Sequence, residues 1–282
     1  MENCILCGSN KFYELGKKLK YDILICQKCT LTKLDPTPSE NELEDFYKNE
    51  YREKYSNQKF VDKGVLENEQ RRANHIVPFF ENETKTFSNY LDIGCSTGVL
   101  INSLKKKLKI DKATGLELNT IYAEYAKKNT DAIIVQNSLE SETFSEKFDL
   151  ITMVHVLEHM SNPKKVLKKI SKIIQLGGLL YIEVPNLKTP YLDLFKDYFQ
   201  IYHTYYFTDK TLRVLIEQNG FKLINIQHIN KHSIGIIAKK SNDIQCDHFT
   251  YDNYKDLLTR LRSYTLKYKI KSTIKKLLVK YL

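Results

Sequence analysis

The hydrophobic positions from residue 88 onward change their period repeatedly along the chain. Short apolar runs alternate with segments in which apolar residues recur every three or four positions. This alternation predicts a parallel sheet whose strands are joined by crossover helices. We predict strands near 89–93, 112–116, 132–135, 148–154 and 178–184, and helices at about 97–108, 119–129 and 163–175. Gly177 and Gly178 are predicted to end the last of these helices.

The pattern after residue 207 predicts how the sheet is completed. A helix at about 208–219 would end at Gly220, and strands at 221–228 and 233–239 would form an antiparallel edge hairpin. The predicted fold is therefore α/β, a doubly wound, mostly parallel sheet of seven strands with Rossmann-like topology. We divide the chain into an N-terminal module at 1–35, a helical connector at 36–85, the sheet domain at 86–240 and a basic helical tail at 241–282.

Four of the six cysteines form two C-x-x-C pairs, Cys4 with Cys7 and Cys26 with Cys29. Eighteen residues separate the pairs, and the short apolar stretches beside them predict hairpins too small to hold a core alone. This spacing is typical of a four-thiolate zinc ribbon, whose Zn²⁺ would be structural because no coordination position stays open. A redox dithiol pair and an iron–sulfur site are the competing interpretations.

The first predicted strand of the sheet runs into a glycine loop, Asp92-Ile93-Gly94-Cys95-Ser96-Thr97-Gly98. Glycines let the backbone approach a ligand closely, and the helix that follows offers its first N–H groups. The G-x-x-x-G spacing differs from the G-x-G-x-x-G fingerprint of nicotinamide enzymes. The alternative is an ordinary doubly wound turn that holds no cofactor.

The second strand ends at Glu117, where a carboxylate is placed to accept the two ribose hydroxyls of an adenosine. Asp92, the two glycines and Glu117 together resemble the first two motifs of class I S-adenosylmethionine (SAM)-dependent methyltransferases. The resemblance implies that SAM is the cofactor and that residues 136–140 contact its adenine, although Asn137 or Ser138 stands where the family often has an acidic residue. The residues expected to contact SAM are Asp92, Gly94, Cys95, Gly98, Glu117, Leu118, Asn137, Ser138, Leu139 and His155.

The fourth strand runs into His155-Val156-Leu157-Glu158-His159, which resembles the V-L-E-H segment of many small-molecule methyltransferases. Ligands of such sheets lie at the carboxyl ends of the strands. His155 is therefore expected near the reacting centre, where a neutral imidazole can take a proton. His159 is expected to bind the substrate, unless Glu158 and His159 only orient each other or cap the following helix.

A second polar cluster, Tyr202-His203-Thr204-Tyr205-Tyr206-Phe207-Thr208, follows the fifth strand. With the cysteine pairs and the Pro-x-Pro exit, it resembles zinc-containing sugar C-methyltransferases and their Y-H-E-H-x-x-Y-F-S stretch. Tyr202 and His203 match that stretch, whereas Thr204 and Tyr205 replace its Glu and His. An aromatic core is the alternative interpretation of this segment.

The residues that match this family's stretch and the residues that differ from it have separate consequences for the chemistry. The resemblance implies that His203 or His155 acts as base or orienting group and that Tyr202 hydrogen-bonds the substrate. Loss of the Glu-His pair disfavours carbon methylation, because deprotonating carbon requires a strong and well-placed base. Transfer to oxygen or nitrogen requires less. We therefore predict O-methylation of a small polar molecule such as a sugar, a sugar nucleotide or a phosphorylated glycan precursor.

In that family the N-terminal part packs over the cofactor domain and helps to close the substrate pocket. By the resemblance, the connector would face the substrate with Tyr47, Tyr51, Arg52 and Tyr55. Arg71 and Arg72 could clamp a phosphate or carboxylate, or lie on a solvated helix face. The predicted substrate-binding residues are Tyr51, Arg52, His159 and Tyr205.

The charge is concentrated at one end of the chain. The formal net charge is +10, of which residues 251–282 carry +7, from nine Lys or Arg and two Asp. The near-neutral remainder argues against a nucleic-acid partner. We expect the tail to be a solvated amphipathic helix docked on the core or on a second subunit, and the alternative is weak binding to RNA or to an anionic membrane surface. No secretory signal or membrane-spanning apolar run is evident, so a cytoplasmic location is expected.

Three functions stay open at this point. The first is a small-molecule methyltransferase, the second an RNA methyltransferase that uses the zinc ribbon and the basic tail, and the third a non-catalytic cofactor-binding protein. Oxygen, nitrogen and carbon stay open as the acceptor atom, with oxygen the predicted one, and the sequence does not predict the oligomeric state.

Overall fold

The computed structural model describes residues 2–50, 60–243 and 249–280, and of 275–280 it describes the backbone alone. The N-terminal module is a small antiparallel sheet built from β1 (Phe12–Lys18), β2 (Tyr21–Cys26) and β3 (Thr32–Asp35). A fourth strand, β9 (Tyr205–Tyr206), joins it from far along the chain by pairing with β3. Strand pairing thus joins the second polar cluster, residues 202–208, to the N-terminal module.

Two helices form the described part of the connector. α1 (Glu40–Asn49) begins at a capping box, in which the Ser39 side chain accepts from the Glu42 N–H group and Glu42 accepts in return. α2 (Lys63–Ile76) is capped by Asp62 and continues into a 3₁₀ turn at Val77–Phe80.

The main sheet contains seven strands in the order β10-β11-β8-β7-β4-β5-β6. Its elements are β4 (Phe87–Ile93), α3 (Val99–Lys107), β5 (Ile110–Leu116), α4 (Thr120–Asn129), β6 (Ile133–Val135), β7 (Phe148–Val154), α5 (Pro163–Ile173), β8 (Ile174–Pro185), α6 (Asp209–Glu217), β10 (Phe221–Ile229) and β11 (Ser233–Lys240). Among the described strands of this sheet, β11 alone runs antiparallel to the others, and it pairs with β10 on one side and with β8 on the other. The predicted fold class is confirmed, including the edge hairpin.

The prediction that Gly177 and Gly178 cap a helix is wrong. α5 ends at Ile173, and Ile174 already pairs with Phe148 of β7. The next pair joins Leu150 of β7 to Leu179 of β8. Between these two pairs β8 has more residues than β7, so β8 forms a bulge there. Gly177, at φ +81°, supplies the left-handed backbone that this bulge requires.

The cysteine module and the C-terminal helix both pack on the main body. Cys26, Cys29 and Leu31 lie in the same buried cluster as Ile182 and Val184 of β8. The predicted helical tail is present as α7 (Tyr254–Lys280). Its first turns are buried through Leu257, Leu258 and Leu261, whereas Leu266, Ile270 and Ile274 are more than half exposed. Among the described residues, no helix combines the length and apolarity needed to cross a membrane.

Candidate active site and cofactor pocket

The glycine loop lies at the carboxyl end of β4, as the sequence predicts. Gly94 and Gly98 adopt left-handed backbone, at φ +74° and +79°. A Cβ atom on Gly94 would stand 2.5 Å from Val156 Cγ2, and one on Gly98 would stand 2.4 Å from Thr130 Cγ2. Both positions therefore require glycine for conformation and for space.

Glu117 lies at the tip of β5, where it is held by the backbone of the glycine loop. Its carboxylate accepts hydrogen bonds from the Ser96 N–H group at 3.0 Å and the Asn119 N–H group at 2.8 Å. Asn119 also caps α4. These bonds fix the direction of a carboxylate that lines the central cavity, and carboxylate oxygens can each accept more than one hydrogen bond.

Glu69 of α2 contacts the loop from the opposite side. Its carboxylate accepts a hydrogen bond from the Ser96 hydroxyl at 2.6 Å and another from the Thr97 hydroxyl. The sequence offered little signal for this role, because Glu69 is one of several charged residues on a polar helix. The connector thus packs directly on the glycine loop.

Asp92 is buried beneath the loop. Its side chain accepts a 2.6 Å hydrogen bond from Thr152 Oγ1, which also lies 2.7 Å from the Tyr90 hydroxyl. Burial raises the pKa of Asp92 to about 7, with Glu69 and Glu117 adding to the shift against the Thr152 hydrogen bond. The loop is therefore surrounded by acidic groups, one of which titrates near neutral pH.

One cavity of about 450 Å³ runs from the glycine loop to the histidines. It is lined by nine of the ten residues predicted to contact SAM: Asp92, Gly94, Cys95, Glu117, Leu118, Asn137, Ser138, Leu139 and His155. Gly98 does not line the cavity, because it serves the turn into α3. His159 and His203 line the same cavity, as do Tyr47 and Arg72 of the connector.

His155 bridges two buried carboxylates in a left-handed backbone conformation, at φ +54°. Its Nε2 lies 3.1 Å from Glu183 Oε1, and its Nδ1 lies 3.3 Å from Glu158 Oε1. Burial and Arg72 lower the pKa of His155, but the two carboxylates outweigh them and the net shift is upward. His155 is thus suited to holding a proton between carboxylates. Glu183, which also accepts from the Tyr181 hydroxyl, is a site residue that the sequence reasoning missed inside an apolar strand.

His159 and His203 form the other end of the polar group. Their rings meet edge to face with centroids 4.7 Å apart. His159 Nδ1 lies 3.1 Å from the Tyr202 carbonyl oxygen and beside the Tyr47 hydroxyl. Burial, followed by the proximity of His159, lowers the pKa of His203 to about 3. His203 is accordingly a neutral imidazole at physiological pH.

Two tyrosines of the second cluster lie elsewhere than predicted. The ring of Tyr202 stacks on Phe46 at 3.5 Å and does not line the cavity. Tyr205 is 3% exposed and packs in the core cluster that contains Cys4 and Leu6, because its strand pairs with β3. The predicted substrate contacts Tyr51 and Arg52, with Tyr55, lie outside the described residues.

The four cysteines of the N-terminal pairs meet in one cluster. Their Sγ atoms lie within 4.8 Å of one another, with 3.5 Å between Cys4 and Cys29 and the same distance between Cys7 and Cys26. Disulfide sulfurs would lie only about 2.0 Å apart. The arrangement is therefore that of four thiols around a common centre.

Comparison with known proteins identifies the family. The family described as methyltransferase domain matches residues 65–226, which is more than half of the chain. The chain belongs to this family. It contains a class I, SAM-dependent methyltransferase domain, and the acidic cavity beside the glycine loop suits a cofactor that carries a sulfonium and an ammonium group.

Curated relatives resemble this methyltransferase over part of their length. The mitochondrial ubiquinone biosynthesis O-methyltransferase of Dictyostelium discoideum is 33% identical over 114 residues, which cover 35% of each chain. The corresponding enzyme of Candida albicans is 28% identical over 133 residues, 44% of this chain and 38% of the relative. A malonyl-[acyl-carrier protein] O-methyltransferase of Haemophilus ducreyi is 29% identical over 120 residues, 39% of this chain and 46% of the relative. The matches span less than half the length of these relatives.

Solved structures support the fold. The magnesium protoporphyrin IX methyltransferase of Synechocystis, with bound SAH, superimposes with a TM-score of 0.54 at 13% identity and covers 72% of this methyltransferase and 100% of that chain. The plantazolicin methyltransferase BpumL in complex with SAH gives a TM-score of 0.53 at 14% identity, covering 70% and 94%. At these identities the likeness shows the fold alone.

Proposed function

We propose that this methyltransferase transfers the methyl group of SAM to an oxygen atom of a small polar acceptor, such as a sugar, a sugar nucleotide or a phosphorylated glycan precursor. The observation that carries the proposal is the single cavity in which the glycine loop and Glu117 open toward the imidazoles of His155, His159 and His203. The curated relatives are O-methyltransferases by name, which favours oxygen over carbon or nitrogen.

The cofactor would lie along the residues predicted for it. We assign Glu117 to the ribose hydroxyls and residues 137–139 to the adenine, since both groups line the cavity next to the glycine loop. Glu69 would hold the loop in the binding conformation through its bonds to Ser96 and Thr97. When bound, SAM supplies an electrophilic methyl group on a positively charged sulfur.

The histidines would receive the acceptor. His155 bridges Glu158 and Glu183 and has a raised pKa, so we assign it to positioning rather than to proton removal. His203 is neutral but weakly basic because its pKa is lowered to about 3, and we assign it to orienting the acceptor oxygen. As the S–CH3 bond breaks and the O–CH3 bond forms, a hydroxyl acceptor would lose its proton through His203 to solvent, whereas an ionised phosphate or carboxylate oxygen has no proton to lose. Arg72 lines the same cavity and would bind a phosphate or carboxylate of the acceptor. Alignment of oxygen, methyl and sulfur then contributes most of the catalysis.

The four cysteines would hold a structural zinc ion. Tetrahedral Zn–S bonds of about 2.3 Å put sulfurs roughly 3.8 Å apart, which the observed spacing of 3.5 Å in two pairs nearly matches. Such an ion would join the N-terminal module to the core that it shares with β8. No catalytic role follows, because the four thiolates complete the coordination.

Methyl-labelled SAM would test the proposed function. The protein is incubated with nucleotide sugars, phosphorylated metabolites or total RNA, and the label in each product is measured. Transfer to an oxygen atom of a sugar or phosphorylated acceptor is expected, with loss of transfer in Glu117→Ala and retention in Glu124→Ala, an exposed residue of α4. Labelling of RNA alone would contradict the proposal, and a protein that SAM does not stabilise against heat would contradict cofactor binding.

A further inference from the structure

We propose that Glu158, His159 and His203 form a binding site for a divalent transition-metal ion in the wall of the cavity, separate from the four-cysteine cluster. Each of the three side chains offers one ligand atom, and these atoms lie within 4.8 Å of one another. Glu158 and His159 come from the turn after β7, and His203 comes from the segment before β9. The tertiary fold therefore brings the three residues together.

Among the described residues, the buried carboxylate of Glu158 lacks hydrogen bonds that a further partner could replace. The residue is 1% exposed, and neither carboxylate oxygen makes a hydrogen bond within the described part of the chain. The nearest nitrogens are His155 Nδ1 at 3.3 Å and His159 Nε2 at 3.7 Å from Oε1. His155 compensates part of the charge of Glu158 as an ion-pair partner, but a buried carboxylate without hydrogen bonds is still costly. A bound cation between these residues would supply the missing contacts.

His159 is held in the orientation of a metal ligand. Its Nδ1 lies 3.1 Å from the backbone carbonyl oxygen of Tyr202. The Tyr47 hydroxyl, which can donate or accept, also lies beside Nδ1. A carbonyl oxygen can only accept, so the tautomer that bonds to Tyr202 carries its proton on Nδ1 and its lone pair on Nε2, the nitrogen nearer to Glu158. Histidines that bind metals typically donate their second N–H group to a carbonyl or carboxylate in this way.

The backbone beneath the site is fixed as well. Thr204 Oγ1 lies 2.9 Å from the Glu158 carbonyl oxygen and 2.6 Å from that of Met160, and Thr204 is fully buried. Thr204 directly follows His203, so it connects the segment that carries one ligand to the turn that carries the other two. This connection limits how far the three ligands can move apart.

The donor set indicates the class of ion. Two imidazoles and one carboxylate suit Zn²⁺, Fe²⁺, Co²⁺ or Mn²⁺, whereas Mg²⁺ and Ca²⁺ prefer oxygen ligands throughout. Three protein ligands leave coordination positions that an oxygen of the acceptor could occupy. That last consequence rests on the proposed function, whereas binding of the ion does not.

Cobalt titration of the full chain would test the site. The protein is stripped of metal under reducing conditions and titrated with Co²⁺, and bound metal is counted by elemental analysis. We expect two equivalents in the wild type, of which only one gives the thiolate-to-cobalt charge-transfer bands of the cysteine cluster. His203→Gln should lose the second equivalent and keep those bands, which also report that the module is folded. His75→Gln, altered at an exposed histidine of α2, should bind both.

Two outcomes would overturn the proposal: a wild type that binds only the thiolate-held equivalent, or a His203→Gln protein that still binds two. Glu158→Gln provides a second variant with the same expectation. The wild-type count decides the matter even where a variant fails to fold. Affinity for SAM is measured separately on metal-stripped protein, so failure of the proposed function would be distinguished from failure of the metal site.

Discussion

The carboxylate of Glu69 accepts a hydrogen bond of 2.6 Å from the hydroxyl of Ser96. Ser96 in turn donates its N–H group to Glu117 at 3.0 Å. A connector helix, the glycine loop and the residue assigned to the ribose are thus joined in one chain of contacts. The connector thus helps to shape the cavity beside the glycine loop and is more than a link between two modules.

Removal of the Glu69 carboxylate should weaken cofactor binding. Hydrogen bonds to charged groups contribute roughly 1.5–3 kcal/mol, so Glu69→Ala is expected to raise the Kd for SAM by about tenfold or more. Calorimetric titration measures the change. Glu67→Ala provides the matched control, because Glu67 is an exposed residue of the same helix. Equal affinities in the two variants would show that the loop keeps its conformation without Glu69.

Asp92 should make the cofactor-free protein less stable as the pH rises. Its pKa in the folded state is about 7, above the usual 3.8, so the folded state holds the proton more tightly. The stability from this group is present below pH 4 and is lost as the pH rises through 7, by a few kcal/mol, roughly 4 at most.

Asp92→Asn removes this titration. Urea unfolding at pH 5, 6, 7 and 8 should show the variant gaining stability relative to the wild type until about pH 7 and then levelling off. Asp111→Asn, at an exposed position of β5, should show no such trend. A difference between Asp92→Asn and the wild type that does not change with pH would contradict the raised pKa.

Local sequence was enough to predict the fold and to place the glycine loop and Glu117 at the carboxyl ends of neighbouring strands, beside one cavity. The glycine loop and Glu117 follow from strand–turn–helix periodicity, because each residue is placed by the strand that precedes it. Tyr205 was predicted to bind the substrate, but it lies in the core because β9 pairs with a strand more than 170 residues earlier. The local pattern of hydrophobic residues does not predict such a distant pairing. Glu183 was missed because its partner His155 becomes a neighbour only across the folded sheet.

Loss of the proposed zinc should destabilise more than the N-terminal module. Cys4, Cys26 and Cys29 share a buried cluster with Leu180 and Ile182 at the centre of the main sheet. An organomercurial reagent should release one zinc per chain and lower the Tm of the entire cooperative transition. Limited trypsin digestion should then cut first within residues 11–20, which are rich in lysine. Zinc release without any change in Tm would show that the module folds independently of the metal.

Thr204 provides the sharpest test of how this chain departs from the sugar C-methyltransferase pattern. Its hydroxyl lies within hydrogen-bond distance of the carbonyl oxygens of Glu158 and Met160, which makes its role one of support for the histidine turn. Thr204→Val keeps the shape of the side chain but leaves buried carbonyl groups without this partner, at a cost of about 1–3 kcal/mol. We expect a lower free energy of unfolding and a reduced kcat with little change in the Kd for SAM, because the glycine loop lies elsewhere.

Thr204→Ser keeps the hydroxyl and should restore most of the free energy of unfolding and most of kcat. If Thr204→Val retained full stability while losing all activity, Thr204 would act on the substrate directly and the supporting role would be wrong.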